Sequence, residues 1–260
     1  MRNDFDIAST QYDTAFTFSN IGKAQRQMVF KYLNPILNKE KQLSILELNC
    51  GTGEDAIRFA KLKHDVLATD ISEGMIKIAS AKANSKNLIF KTQDINAINE
   101  STFNKKFDFI FSNFGGFNCL SKPELNHYFK IATKLLNPKG KIVLVIMPKQ
   151  CLWEQLYFTL KGDFRKATRR KTDDSVFANV DGAKVKTWYY NPEEIVSLTA
   201  SQYDTDSIKP IGLAIPPSYL ENSFIAKKPF LSIFKSIDAI ITGSYWAKYA
   251  DHFLIELTKK

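Results

Sequence analysis

Ile45-Leu46-Glu47-Leu48-Asn49-Cys50-Gly51-Thr52-Gly53-Glu54-Asp55-Ala56 sets a glycine loop between a stretch that reads as a buried strand and one that reads as an amphipathic helix. Gly51 and Gly53 allow a sharp turn and close backbone approach, and a strand-turn-helix setting is what a nucleotide-type cofactor loop requires. Gly51 to Ala56 also satisfies the G-x-G-x-x-A pattern, whose helix N-terminus binds a pyrophosphate. The charges oppose that reading. Glu47, Glu54 and Asp55 would surround the bound group with negative charge, which disfavours a pyrophosphate and suits a ligand carrying an ammonium and a sulfonium.

Outward from the loop, apolar strand patterns alternate with helical ones. Val66-Leu67-Ala68-Thr69 ends in Asp70, which opens Asp70-Ile71-Ser72-Glu73-Gly74-Met75, and Leu88-Ile89-Phe90-Lys91 is followed by Asp94-Ile95. Phe107 to Phe111 runs into Ser112-Asn113-Phe114, and Leu136-Asn137-Pro138-Lys139-Gly140-Lys141 leads into Ile142 to Met147. This alternation predicts an α/β, doubly wound, mostly parallel sheet. Ligands in such sheets bind beyond the carboxyl ends of the strands, so Glu47, Asp70, Asp94 and Ser112 to Phe117 should share one rim.

Taken in that order, residues 40–150 resemble the class I S-adenosylmethionine-dependent methyltransferases. The resemblance implies a Rossmann-like, seven-stranded sheet whose last strand is antiparallel, and S-adenosylmethionine as cofactor with S-adenosylhomocysteine as product. It assigns Asp70 to the ribose hydroxyls and Asp94 to the neighbourhood of the adenine. The implied cofactor set is Tyr12, Glu47, Asn49, Gly51, Gly53, Asp70, Ile71, Met75, Asp94, Ile95, Ser112, Asn113 and Phe114. Asn49 stands where the family usually has its first glycine. Asn tolerates left-handed backbone better than other side chains, so the loop should survive with an altered floor. At the N-terminus Phe5, Ala8, Tyr12-Asp13 and Gln25-Arg26 are similar to quinone-biosynthesis and malonyl-carrier-protein methyltransferases.

The expected organisation is one domain over residues 1–260. Residues 1–40 form a helical cover, with Tyr12, Phe16 and Phe18 available to the cofactor, and 41–147 the cofactor-binding core. Residues 148–191 are read as an inserted substrate lid after the fifth strand: helix and basic loop from Cys151 to Lys171, then a hairpin of Val176 to Val180 and Val185 to Tyr190 turning at Asp181-Gly182. In 192–260, Asn191-Pro192-Glu193-Glu194 starts a helix, and Ile208 to Ala214 and Phe253 to Thr258 supply the last strands.

Methyl displacement needs alignment and exclusion of water more than a dedicated base. If a hydroxyl is the nucleophile, the candidates for its proton are His127, Tyr12, Tyr157 and Tyr189, with His64 and His252 ranked below them. Ser112-Asn113-Phe114-Gly115 replaces the Asn-Pro-Pro-aromatic signature of enzymes that methylate base nitrogens. This favours a small molecule or carrier-bound metabolite as acceptor. The alternative, an RNA methyltransferase, is motivated by the net charge of +9 and the many aromatics, yet no RNA-binding module is visible. Lys161 to Lys171 carries six basic side chains against Asp163, which suits a carboxylated or phosphorylated substrate or an acidic carrier protein as well as a plain solvated face. Cys50, Cys119 and Cys151 lack metal-ligand spacing, and no signal pattern or apolar span is seen, so a cytoplasmic enzyme without metal is expected.

Overall fold

The computed structural model describes residues 5–6, 9–10, 12–38, 41–83, 85–180 and 183–260, with backbone alone at 180 and 183. The strands are β1 (Ser44–Leu48), β2 (Asp65–Asp70), β3 (Leu88–Thr92), β4 (Phe107–Ser112), β5 (Leu136–Ile146), β6 (Val176–Val180), β7 (Ala183–Thr187), β8 (Tyr203–Ile211) and β9 (His252–Lys259). Seven of them form one sheet in the order β3-β2-β1-β4-β5-β9-β8, and β6 pairs with β7 apart from it. The pairs among β1 to β5 are parallel, while β9 runs antiparallel to both β5 and β8. The sheet is therefore the mixed, mostly parallel one that the resemblance implies.

The central strands are apolar almost throughout because both faces are covered. Phe109 and Phe111 point into a layer that includes Phe30 and Phe59, from α1 (Asn20–Leu37) and α2 (Glu54–Lys61). Ile110 points into the opposite layer, with Phe129 from α4 (Lys122–Leu135), which follows α3 (Glu73–Lys82). Ser121 with Glu124 forms a capping box before α4, and Asn191 with Glu194 does so before α7 (Pro192–Thr199). Between them lie α5 (Leu152–Leu160) and α6 (Phe164–Ala167), and α8 (Phe230–Ile240) follows β8.

Several boundaries differ from the sequence expectation. β5 begins at Leu136 rather than Ile142. Leu136 pairs with Phe107, the register slips where Lys139 takes a left-handed φ of 58°, and pairing resumes between Lys141 and Phe109. β7 stops at Thr187 because the next residues leave the hairpin for the sheet rim: Trp188 N donates to Asn118 O at 2.7 Å and Tyr190 N to Met147 O at 3.3 Å. β8 starts earlier and ends earlier than Ile208 to Ala214. The N-terminal helical stretch is broken: a π-helical turn at Asp13–Thr17 ends at Phe18, and Ser19 caps α1 by accepting from Gly22 N. Ala8 and the Asp181-Gly182 turn lie outside the described residues. Among the described residues, no helix is long and apolar enough to cross a membrane.

Candidate active site

β1 carries Glu47 to the rim, and the chain then turns through left-handed backbone at Asn49 (φ 54°), Gly51 (φ 52°) and Gly53 (φ 82°). Asparagine thus supplies at position 49 the conformation for which a glycine would ordinarily be used. At Gly53 no side chain fits, since a Cβ would lie 2.7 Å from the Phe90 ring. Asp70, at the end of β2, accepts from Gly51 N at 2.8 Å and from Ser72 N at 2.9 Å. One carboxylate therefore braces the loop and borders the cavity beside it. Burial raises the Asp70 carboxyl above its usual value despite those bonds.

Glu47 is 1% exposed. Burial, reinforced by Asp55 and Asp70, pushes its carboxyl well above the ordinary range against the pull of Arg26. Arg26 is ion-paired with Asp55, which also accepts from Asn113 Nδ2 at 2.8 Å. Glu47 Oε2 is buried without a hydrogen-bond partner among the described residues. A buried acid with a vacant oxygen, in surroundings richer in carboxylates than in cations, fits an ammonium-bearing ligand. Asp94 accepts from Asn96 N at 2.9 Å and caps the short turn that follows β3.

The N-terminal segment is latched over this end. Asp6 accepts from Ser72 Oγ at 2.5 Å and from Gly74 N at 2.9 Å, while Asp13 pairs with Lys82 and accepts from Thr52 Oγ1 at 2.5 Å. Tyr12, Phe16 and Phe114 form a run of rings with centroids 5.9 and 5.0 Å apart.

A cavity of about 460 Å³ extends from the rim to a second end, where Leu120, Met147, Val185, Tyr189, Tyr219 and His252 line it. Its size is within the roughly 300–1,000 Å³ of small-molecule sites. Arg169, Arg170 and Asp251 border the same end and belong to a largely buried ionic network. Arg170 donates through Nε to Glu154, through Nη2 to Asp251 Oδ1 at 2.9 Å and through Nη1 to the Asp251 carbonyl at 3.0 Å. Arg169 also pairs with Glu154, and Gln25 Nε2 donates to Asp251 Oδ2 at 3.1 Å. His252 Nδ1 lies 3.3 Å from Asp251 Oδ2, and the ring meets Phe114 edge-on with centroids 5.5 Å apart. Burial by itself would raise the Asp251 carboxyl, but His252 and Arg170 outweigh it and hold it below the usual aspartate range.

Of the residues expected at the cofactor, Tyr12, Asn49, Gly51, Asp70, Ile71, Met75, Asp94, Ile95, Asn113 and Phe114 line this cavity. Glu47 lines a small adjoining recess shared with Tyr12, Asn49 and Asp55. Gly53 caps α2, and Ser112 is buried at the end of β4, its Oγ donating to Asn49 Oδ1 at 3.3 Å. Among the proton-acceptor candidates, Tyr12 and Tyr189 border the cavity, whereas Tyr157 stands behind Tyr219 with ring centroids 5.7 Å apart. His127 is exposed on α4 and does not line the cavity, because Leu125, Tyr128 and Phe129 take the inward face. His64 is buried at the amino ends of β1 and β2, away from the rim, its Nδ1 accepting from Leu43 N at 3.2 Å.

Within the basic run, Arg170 is interior and already paired, while Lys161, Arg165, Lys166 and Lys171 are exposed. Arg170 therefore does not belong to an exposed anion-docking face. Sequence reading missed Glu154, Asp251 and Tyr219, and ranked His252 low. Local signal was slight: an acid in an apolar helix and an Asp-His pair opening an apolar strand.

The methyltransferase domain family matches residues 45–140. The malonyl-[acyl-carrier protein] O-methyltransferase of Bacillus cereus is 30% identical over 115 residues, covering 44% of this chain and 40% of its own length. Malonyl-[acyl-carrier protein] O-methyltransferase 1 of Ilyobacter polytropus is 38% identical over 104 residues, covering 38% of this chain and 37% of its own. The chain thus spans well under half the length of these curated relatives. The solved complex of DhpI with S-adenosylhomocysteine superposes with a TM-score of 0.61 at 14% identity, over 97% of this chain and 92% of that one. The glycine loop, the ordered strand-end acids and the antiparallel final strand thus belong to a chain whose residues 45–140 match the methyltransferase domain family and whose fold is shared with DhpI.

Proposed function

We propose that the chain transfers a methyl group from S-adenosylmethionine to a small or carrier-bound acceptor seated at the far end of the cavity. The carrying observation is one continuous cavity with carboxylates and a glycine loop at one end and, at the other, apolar and aromatic side chains beside His252 and the Arg169–Arg170–Asp251 network. When bound, the cofactor supplies an already activated methyl group. Asp70 would hold the ribose while bracing the loop, Asp94 would sit near the adenine, and Glu47 would face the ammonium through its vacant oxygen. Tyr12, Phe16 and Phe114 would cover the cofactor and exclude water. In this reading residues 1–260 act as a single domain, and 148–191 forms the substrate lid through α5, α6 and the β6–β7 hairpin. The relatives' names support a carrier-bound acyl group as one acceptor class. The free thiols of Cys50, Cys119 and Cys151 accord with a cytoplasmic setting. An RNA acceptor receives less support, because Val185, Tyr189 and Tyr219 confine the far end.

Calorimetry should show S-adenosylhomocysteine binding at least tenfold more tightly than NAD, and tighter binding of NAD would overturn the reading. The Glu47 carboxyl keeps its proton above the ordinary glutamate range in the free protein. A cationic ligand favours the ionised form, so binding should release protons between that range and the raised value. Binding heats compared in two buffers of different ionisation enthalpy would measure the release.

A further inference from the structure

At the far end of the cavity the charges cancel. Arg170 lies between Glu154 and Asp251, and Arg169 reaches Glu154 as well, so both guanidiniums lining that end face carboxylates. Glu154 and Asp251 offset both guanidiniums, so an incoming carboxylate or phosphate gains little net attraction there, although Arg169 Nε has no hydrogen-bond partner among the described residues. Arg169, Arg170, Asp251 and His252 all border the cavity, and His252 is the one of them that can take up a proton as a neutral base. Asp251 is fixed by Arg170 at Oδ1 and at its carbonyl, and by Gln25 at Oδ2, the oxygen that faces the imidazole. His252 also touches Phe114, which borders the cofactor end, so the imidazole stands where the two halves of the cavity meet.

We infer that the acceptor is an aromatic hydroxyl compound, and that His252, with the Asp251 carboxylate beside it, takes the hydroxyl proton as the methyl group is transferred. This rests on the methyltransferase reading above. The O–H bond breaks toward Nε2 of His252, and an oxygen lone pair forms the new C–O bond. The S–CH3 bond breaks with its electron pair passing to sulfur, and the imidazolium gives its proton to solvent after transfer. Asp251 faces the positive charge formed on the ring and is its positioning residue.

A phenol is the hydroxyl whose acidity suits a histidine. Typical values are about 10 and about 6.5. An aliphatic hydroxyl, near water at about 15.7, is far less well matched. A carboxylate acceptor would need no base. The other ionisable groups around the imidazole do not serve as the base. Burial pushes the thiols of Cys119 and Cys151 up to about 12 and raises the hydroxyls of Tyr189 and Tyr219. Arg170 and Glu154 belong to the paired network, Arg169 is held by Glu154, and Arg26, across the Phe114 ring, is held by Asp55.

The test uses the full chain saturated with S-adenosylhomocysteine, with 4-nitrophenol as probe, benzoate as its carboxylate counterpart and NMR of the histidines. Nitrophenol should bind saturably with the absorbance of its phenolate, the His252 ring signals should move to their protonated positions, and benzoate should bind at least tenfold more weakly. His252→Gln should lower nitrophenol affinity at least tenfold and abolish the phenolate signal. Asp251→Asn should diminish the phenolate signal at saturating nitrophenol, a spectroscopic change that a loss of stability alone would not produce. Benzoate binding as tightly as nitrophenol, absence of saturable nitrophenol binding, or an undiminished phenolate signal in His252→Gln would each overturn the inference. Failure of the wild-type chain to bind S-adenosylhomocysteine would overturn the methyltransferase reading itself, and this inference with it.

Discussion

Replacing Arg170 by Met should lower the unfolding free energy by about 3–5 kcal/mol, the cost of breaking a buried ion pair from one side. The loss comes from Glu154 and Asp251, both buried, which would keep their desolvation while losing the guanidinium they share. Urea unfolding of the wild type, Arg170→Met and Arg165→Met at neutral pH measures it. Arg165 lies on the same run but is exposed, so its replacement should cost no more than about 0.5 kcal/mol. Equal losses in the two variants would refute the interior role of Arg170.

The pH dependence carries the same information. In the wild type the folded-state value of Asp251 is depressed, so its contribution is present above the ordinary aspartate value of about 3.9 and is lost as pH falls through the folded value. Without Arg170 the folded-state value of Asp251 rises, although His252 still lowers it. The deficit of the variant should then grow as pH rises through the interval between the two folded-state values and narrow below it.

Asp70→Ala should weaken S-adenosylhomocysteine binding by about 1.5–3 kcal/mol, the range for hydrogen bonds to a charged group. That is roughly ten- to hundredfold in dissociation constant. Two effects combine, because the carboxylate also accepts from Gly51 N and Ser72 N and so sets the shape of the loop. Asp70→Asn retains one acceptor oxygen and should fall between the wild type and the alanine variant. Calorimetry on all three decides the matter: unchanged affinity in a folded Asp70→Ala protein would place the ribose elsewhere.

Glu47, Asp70 and Asp94 were legible in sequence because each lies at or just beyond the end of an apolar strand, and parallel order then brings those ends to one rim. The far end of the cavity was not legible in that way. Arg170 sits in a run whose net sign suggests a solvated surface, yet its partners are Glu154 in α5 and Asp251 at the far end of the chain, contacts that no local pattern contains. His252 follows the same logic in reverse. Because β9 runs antiparallel to β5, its first residue, not its last, arrives at the rim where the parallel strands finish. Boundaries were misread where a single contact overrides pattern, as where Asn118 draws Trp188 and the hairpin's exit to the rim.

The position of β9 has a kinetic meaning as well. It lies between β5 and β8 and pairs Lys141 with Thr258 and Ile146 with Phe253, so its register joins parts of the chain that are far apart in sequence. Such pairing pays for closing a long loop before it gains a contact, and it tends to form slowly. Until β9 docks, β5 presents an open row of amide and carbonyl groups along an apolar strand, the kind of edge at which chains associate wrongly. Refolding yield should therefore depend on protein concentration, with the vulnerable interval ending when β9 inserts.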